Sequence, residues 1–168
     1  MAGVAPIPQG MHTLTPNLVV RDCAKAIDFY KQALGAKEIS RMPAPDGKSI
    51  WHAELRIGDS TVFMNDEMPG MGRLAPTASS PVPVTMWLYV PDCDAAFERA
   101  IGAGAKATMQ PADMFWGDRC ASVADPYGYL WSFATRQKEM TETEMRRAGE
   151  EFARTMQMHG QGGAKAQT

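Results

Sequence analysis

Two stretches about seventy residues apart decide the fold: Asn17-Leu18-Val19-Val20-Arg21-Asp22-Cys23 and Trp87-Leu88-Tyr89-Val90-Pro91-Asp92-Cys93. Each is an apolar, strand-like run that reaches an Asp followed by a Cys, and internal repetition of this kind sets the architecture before any single element does. Working outward, each copy next enters a helical segment, expected over 24–34 and 94–102, and ends in Gly-Ala-Lys, at Gly35-Ala36-Lys37 and Gly104-Ala105-Lys106. Asp22 and Asp92 suit the N-cap because a carboxylate accepts the free N–H groups of a first turn. Gly35 and Gly104 supply the left-handed residue that closes a helix. Ala26, Ile27, Tyr30 and Leu34 fall on one face, the stripe that a helix packed on a sheet requires.

Strand-like runs follow each helix, over 38–42, 50–57 and 60–65 in the first copy and over 107–110, 119–124 and 129–135 in the second. Gly58-Asp59 and Asp125-Pro126-Tyr127-Gly128 carry the residues that turns demand. The fold class is therefore α+β: two βαβββ modules forming an open barrel-like cleft, plus a C-terminal amphipathic helix. The expected organisation is a first module over 11–66, a linker rich in Pro, Gly, Ser and Thr over 67–83, a second module over 84–136, a helix over 137–157 and a disordered tail over 158–168. Thr141 and Glu144 form a capping box for that helix, and Met145, Ala148, Phe152 and Met156 share its apolar face.

Composition narrows the function classes. The 168 residues suffice for one compact domain or two small modules with a shared core. A net charge of -2 gives no broad basic field for nucleic acid or an anionic membrane. No apolar run approaches the roughly 20 residues that span a bilayer. The first eleven residues lack the basic-then-apolar pattern of a signal peptide. Cys23, Cys93 and Cys120 are an odd, sparse set with no zinc-ribbon spacing, and read as buried free thiols in a reducing cytoplasm. Among thirteen methionines, Met64, Met68, Met71, Met109 and Met114 lie in polar surroundings, where flexible thioethers suit irregular apolar pockets.

The repeat, its turns and several short motifs together resemble the glyoxalase/bleomycin-resistance (vicinal oxygen chelate) superfamily, and within it the PhnB-like branch. The residues that carry the resemblance are Thr15-Pro16, Val20-Arg21-Asp22, Ala26-Ile27-Asp28-Phe29-Tyr30 and Met42-Pro43 with Pro45-Asp46-Gly47. To these are added the run 52–59, Trp116-Gly117-Asp118-Arg119 and Asp125-Pro126-Tyr127-Gly128. The resemblance covers about residues 11 to 135 and implies two modules around a shared cleft, commonly within a homodimer. It also implies a metal site in many members, with His and Glu ligands on strands of both halves. The matching positions are read here as Thr15, Thr85, Glu54 and Ser132. Hydroxyls are poor ligands beside imidazole or carboxylate, so no cofactor is expected. A divalent metal held by Glu54 and His52 is the alternative.

His52 and Glu54, two apart on one strand, share a face. They form either a general base with its orienting carboxylate or a hydrogen-bonded pair that satisfies a polar patch. The ligand-binding candidates are Phe115, Trp116, Asp118 and Arg119 on one loop, with Trp87 and Trp131 from strands. Trp116 would stack on a flat ligand and Arg119 would fork onto a carboxylate or phosphate; the competing reading pairs Asp118 with Arg119 as a brace. Trp87 and Trp131 also suit the core, and Trp51 is expected to pack against a helix. His12 has no evident partner, and a cation next to Cys120 is one way to lower its pKa.

Three functions follow. The first is cleft binding of a small aromatic or anionic molecule without a metal. The second is a lyase, isomerase or dioxygenase-type enzyme using His52 and Glu54. The third is a dimeric interaction module built on the terminal helix.

Overall fold

The computed structural model describes residues 5–77 and 79–162. Two four-stranded sheets carry the fold, and neither is closed. The first contains β1 (Asn17–Val20), β2 (Lys37–Pro43), β3 (Ile50–Ile57) and β4 (Ser60–Asp66), in the order β1-β4-β3-β2, with helix α1 (Cys23–Leu34) between its first two strands. The second repeats this order with β5 (Thr85–Tyr89), α2 (Cys93–Gly102), β6 (Lys106–Asp113), β7 (Asp118–Ala124) and β8 (Leu130–Arg136), as β5-β8-β7-β6. The first strand of each half runs parallel to the last, and the other pairs are antiparallel. This is the expected pair of βαβββ modules.

Helix caps fix how each strand hands the chain to its helix. Asp22 accepts from the Lys25 N–H, and Asp92 accepts from the Ala95 N–H. Asp22 does so from the left-handed region at φ 59, a conformation that Asp tolerates through local hydrogen bonding; the Lys25 ammonium also pairs with its carboxylate. The expected stripe of α1 is buried, with Ala26, Ile27, Tyr30 and Leu34 joined by Cys23 and Ala33.

One apolar core spans both modules, because α1 packs on α2 and each helix covers one face of its sheet. The other face of each sheet is open. Alternation along β3 sends Ala53, Leu55 and Ile57 toward the helices, leaving His52, Glu54 and Arg56 half-buried on the open side. Trp51 does not pack on a helix as expected: it is the extra residue where Met42 and Pro43 at the end of β2 pair with His52 and Ile50, and it is 48% exposed.

A buried carboxylate ties the halves together. Asp125 Oδ2 accepts from the Tyr30 hydroxyl of α1 at 2.6 Å and from Trp131 Nε1 at 2.8 Å. Its Oδ1 accepts from the Tyr127 and Tyr129 N–H groups at 2.8 and 2.9 Å. Tyr129 then reaches back to β1, its hydroxyl bonding both the N–H and the carbonyl of Val19 at 2.9 Å. Gly128 completes the turn at φ 93 with the linker residue Pro76 pressed on it, where an added Cβ would stand 2.8 Å away. The Trp131 ring therefore lies in the core, 2% exposed, one of its two expected places, and also borders the cavity between the modules.

The three cysteines are free and buried. Burial pushes the Cys23 thiol up to about 12, and burial pushes Cys93 up to about 11. Cys120 is also raised, by burial and then by Asp118, so the neighbouring Arg119 does not activate it.

After β8 the chain enters helix α3 (Glu142–Gly162), whose capping box is present: the Glu144 carboxylate accepts from the Thr141 N–H and the Thr141 hydroxyl accepts from the Glu144 N–H. The helix continues through 158–162, which the sequence reading had put in the tail, and residues 163–168 lie outside the described residues.

Two outcomes follow from these buried groups. Asp125→Ala leaves the buried Tyr30 and Trp131 donors unpaired and is expected to cost about 4 kcal/mol in urea unfolding, against about 1–2 kcal/mol for Tyr30→Phe, which leaves three donors on the carboxylate. The folded-state thiol of Cys23 titrates above its ordinary value of 9.0, as do Cys93 and the buried Tyr30. On raising the pH the unfolded chain therefore releases its protons first, and unfolding measurements should show stability falling from about pH 9 toward pH 12.

Candidate functional site

The open face of the first sheet is built by alternate residues of β3 and β4. His52 and Glu54 come together as expected, with His52 Nε2 3.3 Å from Glu54 Oε1. The imidazole also meets the Phe63 ring edge-on, centroids 4.8 Å apart, and Glu54 and Phe63 are register partners across the two strands. A segment in which the sequence singled out only His12 and Thr15 crosses this face. Residues 6–15 run from the N-terminal side over the sheet and enclose a cavity of about 430 Å³, lined by Ile7, Met11, His12 and Thr15 on one side and Glu54 and Phe63 on the other. Nothing in its composition marks this segment as a wall of a site, since it has neither a strand nor a helix pattern.

A second cavity, about 220 Å³, lies where the two modules meet, lined by His12, Thr15, Thr61, Met86, Trp87 and the edge of Trp131. It shares His12 and Thr15 with the first, so the two form adjoining compartments. Trp87 stands on the open face of β5, 46% exposed, and is a cleft residue rather than a core one.

The open face of the second sheet centres on Asp118. Its carboxylate is 1% exposed and accepts from Tyr89 Oη at 3.2 Å, from Trp116 Nε1 at 3.2 Å and from the Arg136 guanidinium. Asp118 thus anchors Trp116 and Tyr89 rather than meeting a ligand itself. Adjacent strand residues point to opposite faces, so Arg119 lies on the helix side. There its guanidinium pairs with Asp94 of α2 and with Asp113, holding the Asp94 carboxyl below the usual range. Both sequence readings of Arg119 are corrected: it neither faces the cleft nor pairs with Asp118, and Arg136 is the cation on the open face.

Phe115 is also reassigned. Its ring packs on Trp116 at 4.9 Å and on Phe152 of α3 at 5.3 Å, with Gly149 against it. It anchors the terminal helix instead of lining the cleft. Gly117, at φ 94, lies so close to the Lys138 carbonyl that an added Cβ would stand 2.5 Å from it, which fixes how the chain leaves this loop for α3.

A sequence profile described as the Glyoxalase/Bleomycin resistance protein/Dioxygenase superfamily matches residues 10–133. The chain belongs to this superfamily. An uncharacterised Mycobacterium tuberculosis protein, Rv0887c, is 47% identical over 138 residues, covering 80% of this chain and 81% of that one. The crystal structure of the Arabidopsis thaliana At5g48480 product superposes with a TM-score of 0.60 at 27% identity, covering 74% of this chain and 98% of that one. The anthracycline biosynthesis protein DnrV of Streptomyces peucetius is 32% identical over 116 residues, 66% of this chain and 36% of that protein.

Register shows which residues of one half correspond to which of the other. Asn17 pairs with Phe63 as Trp87 pairs with Ser132, and Glu54 pairs with Phe63 as Ser122 pairs with Ser132. The counterpart of Ser132 is therefore Phe63, and Glu54 corresponds to Ser122 on the neighbouring strand. Glu54, taken from the third strand of the first half, and Ser132, taken from the last strand of the second, are thus not counterparts of each other. Taken consistently on the last strand, the four positions are Thr15, Phe63, Thr85 and Ser132; taken on the third, Glu54 and Ser122 replace Phe63 and Ser132, and either set has at most one carboxylate and no imidazole or thiolate, which does not fit a divalent cation. Ser132 is already bonded to Ser122, Oγ to Oγ, at 2.7 Å. Among the described residues no group of three His, Cys, Asp or Glu side chains is placed to hold a metal. The open faces offer instead aromatic surface, an imidazole–carboxylate pair and hydroxyls.

Because α3 touches the body through Phe115, Phe115→Ala should release it. Hydrogen exchange across 142–155 is expected to accelerate by at least tenfold while the strands remain protected.

Proposed function

We propose that this protein binds a small, flat aromatic molecule in the cleft between its modules, and does so without a metal. The observation that carries the reading is the paired cavity sharing His12 and Thr15, walled by Trp87, Met86 and Phe63 and by Glu54, whose carboxylate lies 3.3 Å from His52. Apolar and aromatic walls with a few convergent polar groups are what a ligand pocket needs. Trp87 supplies a stacking surface, and the half-buried Glu54 accepts a hydrogen bond from a hydroxyl on the ligand's rim. The likeness to an anthracycline biosynthesis protein supports a polycyclic, hydroxylated aromatic as the ligand class. The threonine, phenylalanine and serine at the superfamily's ligand positions support a metal-free site. The protein acts as a homodimer in the cytoplasm on this reading, with Ile39, Met42 and Trp51, exposed along the first sheet, available to a second copy.

A second reading rests on the 3.3 Å His52–Glu54 contact. The carboxylate orients the imidazole, which takes a proton from a ligand hydroxyl or acidic C–H, giving a lyase or isomerase activity.

Titration with a hydroxyanthraquinone, followed by tryptophan quenching before and after chelator, tests the first. Chelator-insensitive binding, weakened about tenfold by Glu54→Gln (about 1.4 kcal/mol) with the melting temperature unchanged, is expected. Binding that appears only with added zinc, or no binding in any condition, overturns it. Consumption of the probe by the native protein but not by His52→Ala would favour the enzyme.

A further inference from the structure

The two halves differ at the edge strand that each presents to the other. Val19 on β1 points its N–H and carbonyl out of the first sheet, and the Tyr129 hydroxyl meets both at 2.9 Å. The repeat places Tyr89 of β5 where Val19 stands on β1, since Asn17 and Trp87 open the two matched runs. Val90 donates its N–H to the Ala134 carbonyl of β8. Successive strand residues direct their backbone groups to opposite edges, so the Tyr89 N–H and carbonyl face the free edge of β5. The Tyr89 ring leans the other way, its hydroxyl on Asp118. Phe63 and Ser132 are counterparts, and three residues before them stand Ser60 and Tyr129. The residue that would meet Tyr89 is therefore a serine, which is too short to repeat the bond and gives its hydroxyl to Asp59. The same correspondence sets Val62 against Trp131 and Ala100 against Tyr30, so the aromatic volume packed beside Val19 has no equivalent beside Tyr89. What stands there is a cavity of about 520 Å³, within the range of ligand pockets. Leu34, Leu88 and Val90 give it apolar walls, and the exposed Arg99 and Asp59 border it with opposite charge.

We propose that this cavity is a binding site for a small phenol, which takes the place beside Tyr89 that Tyr129 occupies beside Val19. The phenol oxygen accepts from the Tyr89 N–H, its proton goes to the Tyr89 carbonyl, and the ring lies against Leu88 and Val90. A carboxylate, a phenolate or an ether has no proton for the carbonyl, so the backbone pair selects a neutral hydroxyl. The opposed charges of Arg99 and Asp59 add no preference for a charged molecule. The site reaches the helices through Leu34 and Arg99 and does not rest on the cleft reading, although Ser60, Trp87 and Leu88 also border the seam compartment.

The test follows amide NMR shifts with p-cresol and its matched ether, 4-methylanisole, in the native protein and in Ser60→Tyr and Ser60→Phe. In the native protein p-cresol should shift residues 58–60 and 88–90. It should bind about tenfold more tightly than 4-methylanisole, which lacks one hydrogen bond and leaves the carbonyl covered. Ser60→Tyr supplies the phenol from within the chain, so p-cresol should no longer shift Tyr89. That variant should also melt above Ser60→Phe, which fills the same space without a hydroxyl. Equal binding of the two probes, a Tyr89 shift that persists in Ser60→Tyr, or Ser60→Phe melting as high as Ser60→Tyr overturns the proposal. Absence of shifts at 58–60 and 88–90 in the native protein overturns it as well; shifts confined to 52–54 and 63 then leave the cleft reading standing. Should neither variant fold, the comparison of the two probes in the native protein decides by itself.

Discussion

The Asp125 carboxylate is the constraint on which the two-module arrangement depends. A carboxylate taken out of water must have its charge met by donors, and four arrive from separate places: a tyrosine of α1, the indole of β8 and two backbone N–H groups of its own turn. Only one relative placement of the modules brings the Tyr30 hydroxyl to it. Burial, with Asp125 beside it, holds that phenol well above its ordinary pKa, so it stays a donor. The same turn carries Tyr129 to the backbone of Val19, so the position of β1 relative to the second sheet, and with it the seam cavity, is set by this network.

The fold was legible because a repeat is a strong signal and because each helix announces its ends. Asp22 and Asp92 cap where their chemistry says they should, and the stripe from Ala26 to Leu34 is buried. The Asp-Pro-Tyr-Gly turn was legible as a turn, but its role as the bond between modules was not. That role depends on Tyr30, ninety-five residues away, and no local pattern expresses such a contact.

The site was legible in proportion to how far strand alternation alone decides it. His52 and Glu54 come together because their spacing is two. Asp118 and Arg119 were read as one unit and separate because their spacing is one, which sends the arginine to Asp94 and the aspartate to Trp116, Tyr89 and Arg136. Glu54 and Ser132 were compared across different strands of the two halves, since β3 and β4 lie side by side and only the pairing register tells which residues correspond. His12 was noticed but given no role, because a wall without regular structure leaves no periodicity to read.

The division of labour between the two faces of each sheet has a consequence for how such a protein changes over time. The inter-module network, the Cys23 and Cys93 thiols and the shared core all lie on the helix side, so folding demands less of the opposite side, where Asp118, Cys120 and Ser132 are buried. Residues such as Trp87, Tyr89, Phe63 and His52 can be exchanged without disturbing what joins the halves. A scaffold partitioned in this way permits new ligand preferences to arise by single substitutions, each near-neutral for stability. Relatives with one architecture and unlike pockets are then the expected outcome of drift on the uncommitted side.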